Sequence, residues 1–127
     1  MIRTDQLQIG DYVLVSGTPR RVESITKKKI GYHINPQTDK RLYYARLHDV
    51  EPIEITEELM ESQGFIKYPS VPYHAYIQKG TDATIWRYPS YWIVPDVRIR
   101  QMYVRVEFVH QLQQLYRMSG SKIDWKL

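Results

Sequence analysis

Between Val104 and Gly120 the apolar period of the chain changes, and that change limits what its last quarter can become. Met102, Val104, Val106 and Phe108 alternate with Tyr103, Arg105 and Glu107, one set for each face of a strand. From Phe108 onward the spacing is helical. At about 100° per residue, Phe108, Val109, Leu112, Leu115 and Tyr116 fall within a sector of roughly 120°, and His110, Gln113, Gln114 and Arg117 point the other way. Gly120 supplies a left-handed stop, and Arg117 stands in the last turn, where a cation complements the helix dipole. The expectation is a strand that feeds a short amphipathic helix.

The first fifty or so residues are short β-patterned runs separated by turns. Leu7 and Ile9 with Tyr12 to Val15 are expected to form one strand bent at Gly10-Asp11, followed by a turn at Gly17-Thr18-Pro19. Arg20 to Ile25 returns, Lys27-Lys28-Lys29 makes a charged turn or strand edge, Ile30 to Ile34 is a third strand closed by Asn35-Pro36, and Leu42 to Leu47 is a fourth. The start Ile9-Gly10-Asp11-Tyr12-Val13, with closely spaced strands behind it, resembles the opening of small barrels of the SH3-like kind. That resemblance implies a binding scaffold and no particular chemistry.

Val50 to Ile55 is a short strand that ends where Thr56 can cap a helix carrying Glu57 and Glu58 in its first turn, with Ile55 and Met60 placed as a hydrophobic staple. Gly64 ends that helix and Phe65 packs behind it. From 66 to 100 the chain is aromatic and broken by prolines. Strands are expected near Tyr73 to Gln78, Thr84 to Tyr88 and Tyr91 to Val94, with a hairpin turn at Lys79-Gly80-Thr81-Asp82. Val97 and Ile99 occupy odd positions and Met102, Val104 and Val106 even ones, so the register must reset near Arg100-Gln101. Ile123, Trp125 and Leu127 alternate with Lys122, Asp124 and Lys126, the pattern of a closing strand. The fold expected is a β-rich α+β protein. It comprises an SH3-like small barrel with a short helix over 1–65, then an antiparallel aromatic meander with a C-terminal amphipathic helix over 66–127, together one compact unit.

No apolar run approaches the ~18 residues of a membrane span, and the N-terminus shows neither an apolar signal core nor a cleavage site. The chain has no cysteine, which excludes disulfides, zinc ribbons, iron–sulfur ligation and thiol nucleophiles. A cytoplasmic protein is the resulting expectation. No cofactor is expected. The four histidines, His33, His48, His74 and His110, lack the spacing of a helical metal pair, so no metal is expected either. There is no glycine-rich phosphate loop and no nucleophile elbow. His48-Asp49 is the nearest approach to a general-base pair, and adjacent strand residues point to opposite faces. The chain reads as a protein other than an enzyme.

Three blocks carry a resemblance. Leu7-x-Ile9-Gly10, Glu51-Pro52-Ile53 through Thr56 to Gly64-Phe65, and Val109-His110-Gln111-Leu112-Gln113-x-Leu115-Tyr116 are similar to small proteins without assigned activity carried by prophages and mobile elements of anaerobic gut bacteria. Gln114 departs from the usual Asn, and Arg117-Met118-Ser119 replaces a more apolar turn. The resemblance implies an accessory protein and no catalytic residue.

Eleven Tyr and three Trp against two Phe form an unusual aromatic set, suited to surfaces that are half apolar and half wet. Tyr68, Tyr73, Tyr76, Trp86, Tyr88, Tyr91 and Trp92 exceed what one small sheet can easily bury. The first functional expectation is therefore binding of a protein partner, or of a second copy, through Tyr76, Trp86, Tyr88, Tyr91 and Trp92. The alternative starts from the net charge of +4. Arg20, Arg21, Lys27, Lys28, Lys29, Lys40 and Arg41, interleaved with Tyr32, Tyr43 and Tyr44, could bind nucleic acid. Arg98, Arg100 and Arg105 make a second basic group. No membrane and no small-molecule substrate is implied.

Overall fold

Strand alternation and turn chemistry build two units, Met1–Ile53 with Leu127, and Glu54–Lys126. The computed structural model describes residues 2–69, 72–81, 83–96, 102–119 and 122–127, with the backbone alone at Asp96 and Met102. Among these residues are eleven strands, all paired antiparallel, and two α-helices. The protein is β-rich, with one of its helices near the C-terminus. No helix among the described residues is long and apolar enough to cross a membrane.

The first unit contains β1 (Tyr12–Val15), β2 (Thr18–Arg21), β3 (Ser24–Ile25), β4 (Lys29–Tyr32), β5 (Tyr43–Arg46) and β6 (Val50–Pro52). They pair as two open three-stranded sheets, β2-β1-β6 and β3-β4-β5, and their hydrogen bonding closes no ring. Val13, Val15, Val22, Ile30 and Val50 form the centre of its core, with Ile2 and Leu7 from the N-terminal segment. That segment is not the strand expected from its sequence. Thr4–Gln6 is a 3-10 turn and Ile9 is exposed. The reason is Asp11. It is buried, its carboxylate accepts the Gln8 N–H at 2.8 Å, and its carbonyl accepts the Val22 N–H at 2.8 Å. The tight turn thus formed also breaks the returning run, which becomes β2 and β3 on either side of buried Val22. Likewise the β1–β2 turn is Ser16-Gly17, both with positive φ as a two-residue hairpin of the mirror-image kind requires, and Thr18 and Pro19 belong to β2.

The second unit runs through α1 (Glu57–Ser62), β7 (Phe65–Tyr68), β8 (His74–Gln78), β9 (Thr84–Tyr88), β10 (Tyr91–Asp96), β11 (Met102–Val106) and α2 (Val109–Ser119). Its five strands form one meander in the order β11-β10-β9-β8-β7. Strand β7 falls at the start of the region read as irregular. Thr56 caps α1, its hydroxyl accepting the Leu59 N–H at 3.1 Å, and Gly64 follows in the left-handed region at φ +84°. Thr56→Ala is expected to cost about 1 kcal/mol, read as a lower urea midpoint.

Helix α2 buries a broader face than its apolar residues suggest: Val109, Leu112 and Tyr116 are joined by His110 and Gln113. The polar pair stands on the side expected to face water, and with it the buried sector widens to roughly 160°. Gln111 starts the helix by accepting the Glu107 and Phe108 N–H groups at 2.9 and 3.1 Å, the reach-back half of a capping box. Gly120, the register reset near Arg100-Gln101, and Val97, Ile99, Arg98 and Arg100 lie outside the described residues. Residues 122–127 keep the expected in–out alternation without being a strand. Side chains bind this segment where a neighbouring strand would. The buried Gln78 amide accepts from Asp124 N–H at 2.9 Å and donates to Asp124 C=O at 2.7 Å, and Gln63 accepts from Lys126 N–H.

Candidate interaction surfaces

The meander has two unlike faces, and its registers decide which aromatic ring lies on which. Tyr68 pairs with Ala75, Ala75 with Trp86, Trp86 with Ile93 and Ile93 with Arg105, so these five side chains form one row across the sheet. With alternation, the same face carries Ile66, Ile77, Thr84, Tyr88, Tyr91, Pro95 and Tyr103. The opposite face carries Phe65, Tyr76, Gln78, Ile85, Trp92, Val94 and Val106, all of them buried, together with exposed Lys67 and half-buried His74, Arg87 and Val104.

Two of the expected binding residues are thereby corrected. Tyr76 is 0% exposed and Trp92 3% exposed. They belong to the core, their ring centroids 5.2 Å apart and tilted at 59°. The Trp92 indole N–H donates to the Ile55 carbonyl at 3.1 Å. Burial, followed by the Glu57 carboxylate beside it, pushes the Tyr76 hydroxyl far above its usual range.

Trp86, Tyr88 and Tyr91 lie on the other face, where the structure adds Tyr68, Tyr73 and Tyr103 to them. Tyr73 stacks on Trp86 at 4.3 Å, Trp86 meets Tyr103 at 5.4 Å, and Tyr88 stacks on Tyr91 at 5.1 Å. The Arg105 guanidinium lies 4.8 Å from the Tyr91 ring centre. Tyr68 and Tyr103 are exposed, at 51% and 66%, as is Ile66. Trp86, Tyr88 and Tyr91 are half-buried, their rings lying against other rings. Within its strands this face bears a single formal charge, Arg105. The composition of aromatic, isoleucine and arginine without Lys, Asp or Glu is that of the centre of a protein interface. Tyr103 was hidden in the sequence because its strand reads as core on the even positions only.

Next to it, in the same unit, a cleft of about 430 Å³ is lined by Glu54, Glu57, Glu58 and Glu107 with Arg87 and Arg105. The Arg87 guanidinium lies 5.1 Å from the Trp92 ring centre, so both arginines rest on rings. The lining holds no histidine. Among the described residues no three His, Asp or Glu side chains are gathered closely enough to hold a metal ion.

Among the expected basic residues of the first unit, Arg20 and Arg41 lie near rings on one face of the β3-β4-β5 sheet and Lys29 belongs to the other. Arg20 lies over Tyr32 at 5.5 Å, Tyr32 meets Tyr43 at 6.2 Å, and Arg41 lies 5.9 Å from Tyr43. These are occupied groups. Arg41 pairs with Asp39 at 3.2 Å and Arg21 with Glu23 at 3.7 Å. The Arg41 backbone N–H, then the Tyr43 hydroxyl, hold the Asp39 carboxyl below its usual range. Lys40 is exposed on the loop before β5. On the other face Lys27, Lys28 and Lys29 come together with Arg46, Leu47 and His48, which the sequence reading left out, around an open cleft of about 680 Å³. No family model, no curated protein and no solved structure matches the chain.

Proposed function

We propose that this chain is a non-catalytic interaction protein of the cytoplasm that associates through the open aromatic face of its five-stranded sheet, and that the occupant of that face is a second copy of the chain. The observation that carries the reading is the sorting of the aromatic residues. Tyr76 and Trp92 fill the core, while Trp86, Tyr88, Tyr91 and Tyr103 are linked through Tyr73 into one layer of rings on the other face, which also carries exposed Tyr68. A second copy suits it because, among the described strand residues, the face has no acid to select a basic partner, no lysine to select an acidic one, and a single cation, Arg105, seated on Tyr91. Face-to-face packing of two such sheets about a twofold axis brings like surface to like without charge repulsion.

Five strands about 4.8 Å apart and about five residues long give a footprint of roughly 400 Å² per copy. Two copies together bury roughly 800 Å², the range of weak and reversible association. The account predicts a monomer–dimer equilibrium in the micromolar to millimolar range. Sedimentation velocity from about 1 μM to 1 mM, the span of such constants, tests it. The weight-average mass should rise with concentration for the wild type and stay monomeric for Tyr103→Glu. A monomer throughout contradicts the proposal.

The two three-stranded sheets of the first unit are read, as part of the same proposal, as the halves of an SH3-like small barrel, a scaffold that presents surfaces. An accessory role on a prophage or mobile element is the setting that the sequence resemblance favours.

A further inference from the structure

The sheet β3-β4-β5 keeps two like charges directly opposite one another. Lys29 and Arg46 are cross-strand partners, an arrangement that destabilises an antiparallel pair. Among the described residues no carboxylate forms an ion pair with Lys27, Lys28, Lys29 or Arg46. Solubility alone would be served as well by an alternating pair of charges. The lysines are also placed by an ordered turn. Thr26 N–H donates to the Lys29 carbonyl at 2.9 Å, and the Thr26 hydroxyl accepts the Lys29 N–H at 3.2 Å, which fixes Lys27 and Lys28 at the tip. The Leu47 N–H donates to the Lys28 carbonyl at 3.1 Å, tying the 3-10 turn Leu47–Asp49 to the same tip.

Beside these cations lies Tyr44, 53% exposed, with the Lys29 ammonium 4.7 Å from its ring centre. Tyr44 is the cross-strand partner of Gly31, and a side chain at 31 would come within 3.2 Å of the Tyr44 ring and 2.6 Å of the Ser24 hydroxyl. The bare backbone at Gly31 is what lets the ring lie across the sheet. A ring presented on a sheet face, with four unneutralised cations around an open cleft next to it, is a stacking platform joined to an anion track.

We propose that this outer face of the β3-β4-β5 sheet binds single-stranded nucleic acid, one base stacking on Tyr44 and successive phosphates lying on Lys27, Lys28, Lys29 and Arg46. His48 stands at the rim of the cleft with its imidazole 3.4 Å from the Asp49 carboxylate. The site is built from residues of the first unit and the aromatic face from residues of the second, so the two proposals are tested by different variants and fail independently. The ring makes the ligand single-stranded, because in a duplex the base faces are already stacked.

Fluorescence anisotropy with end-labelled oligo-dT and oligo-rU of about 20 nucleotides tests this, with a duplex of equal length and heparin as competitors. Four phosphate contacts on a single strand predict about fifty-fold weaker binding at 200 mM than at 50 mM salt. Arg46→Glu should cut affinity at least about tenfold and flatten the salt dependence by nearly one contact. The same change places a carboxylate opposite Lys29, so its urea midpoint should rise above that of the wild type. Opposite signs on binding and stability are what a functional charge pair produces. Tyr44→Ala should weaken binding and leave the salt slope unchanged, and Tyr44→Phe should keep both. Absence of binding at 50 mM salt, indifference to Arg46→Glu or Lys28→Glu, or equal affinity for duplex and heparin that survives Tyr44→Ala would each overturn the proposal. Lys28 and Arg46 are exposed, so those variants fold whatever Tyr44→Ala does.

Discussion

Tyr76→Ala is expected to lower unfolding stability by about 3–5 kcal/mol, as for other large aromatic truncations in a packed interior. Its ring is fully enclosed on the core face of the meander, against Trp92, and its strand pairs on both sides, with Lys67 and Ile85. The cavity left behind cannot collapse, because β8 is an interior strand of a five-stranded sheet. Tyr76→Phe keeps the ring and removes only the hydroxyl beside Glu57, so its cost should stay below about 1.5 kcal/mol. Tyr103→Ala, on the open face of the same sheet, should cost less than about 1 kcal/mol, since that side chain has little burial to lose. Urea unfolding of the three variants reads the contrast. Equal losses at 76 and 103 would mean that the two faces have been assigned wrongly.

Gln78→Ala should cost about 3 kcal/mol, more than its modest size suggests. Its amide is 2% exposed and every hydrogen-bonding position is used: it donates to Gln63 C=O and Asp124 C=O, each at 2.7 Å, and accepts from the Thr81 hydroxyl at 2.6 Å and Asp124 N–H at 2.9 Å. Removing it strands the backbone of Asp124 and frees the C-terminal segment. Gln78→Glu tests the donors separately. It preserves the shape and the bond from Asp124 N–H but turns an oxygen toward two carbonyls, and should lose most of the same stability. Limited proteolysis should cut within 122–126 in both variants and spare the wild type. A wild-type-like digestion pattern in Gln78→Ala would show that the segment is held by something else.

Strands β9 and β10, the Thr56 cap and the strand-to-helix change at Phe108 could be read from period and capping chemistry, because each is a local pattern. The sorting of the aromatic residues could not. Tyr88 pairs with Tyr91 across the Pro89-Ser90 turn, so an even position on β9 shares its face with an odd position on β10. Trp86 and Trp92 therefore lie on opposite faces although both numbers are even. That parity is set by loop length, and aromatic residues on both faces leave no alternation to reveal it. Strand β7 was missed for a related reason: after buried Phe65 its next three residues are all exposed, as suits an edge strand. Closure of the C-terminal segment by Gln63 and Gln78 depends on side chains distant in sequence, which no periodicity records. In the first unit, Lys27 to Lys29 were visible as a cluster, but Arg46 and His48 join them only through the β4–β5 register and the 3-10 turn that follows.

The central claim is that the open aromatic face associates with a second copy, and tyrosine nitration read by peptide mass spectrometry addresses it residue by residue. At low concentration, Tyr68, Tyr103 and Tyr44 should all be modified and Tyr76 should be inert, as their exposures dictate. On raising the concentration to about 500 μM, within the range of weak association, Tyr68 and Tyr103 should become protected while Tyr44, in the first unit, continues to react. Unchanged reactivity of Tyr68 and Tyr103 at that concentration, or protection of Tyr44 in their place, would contradict the account.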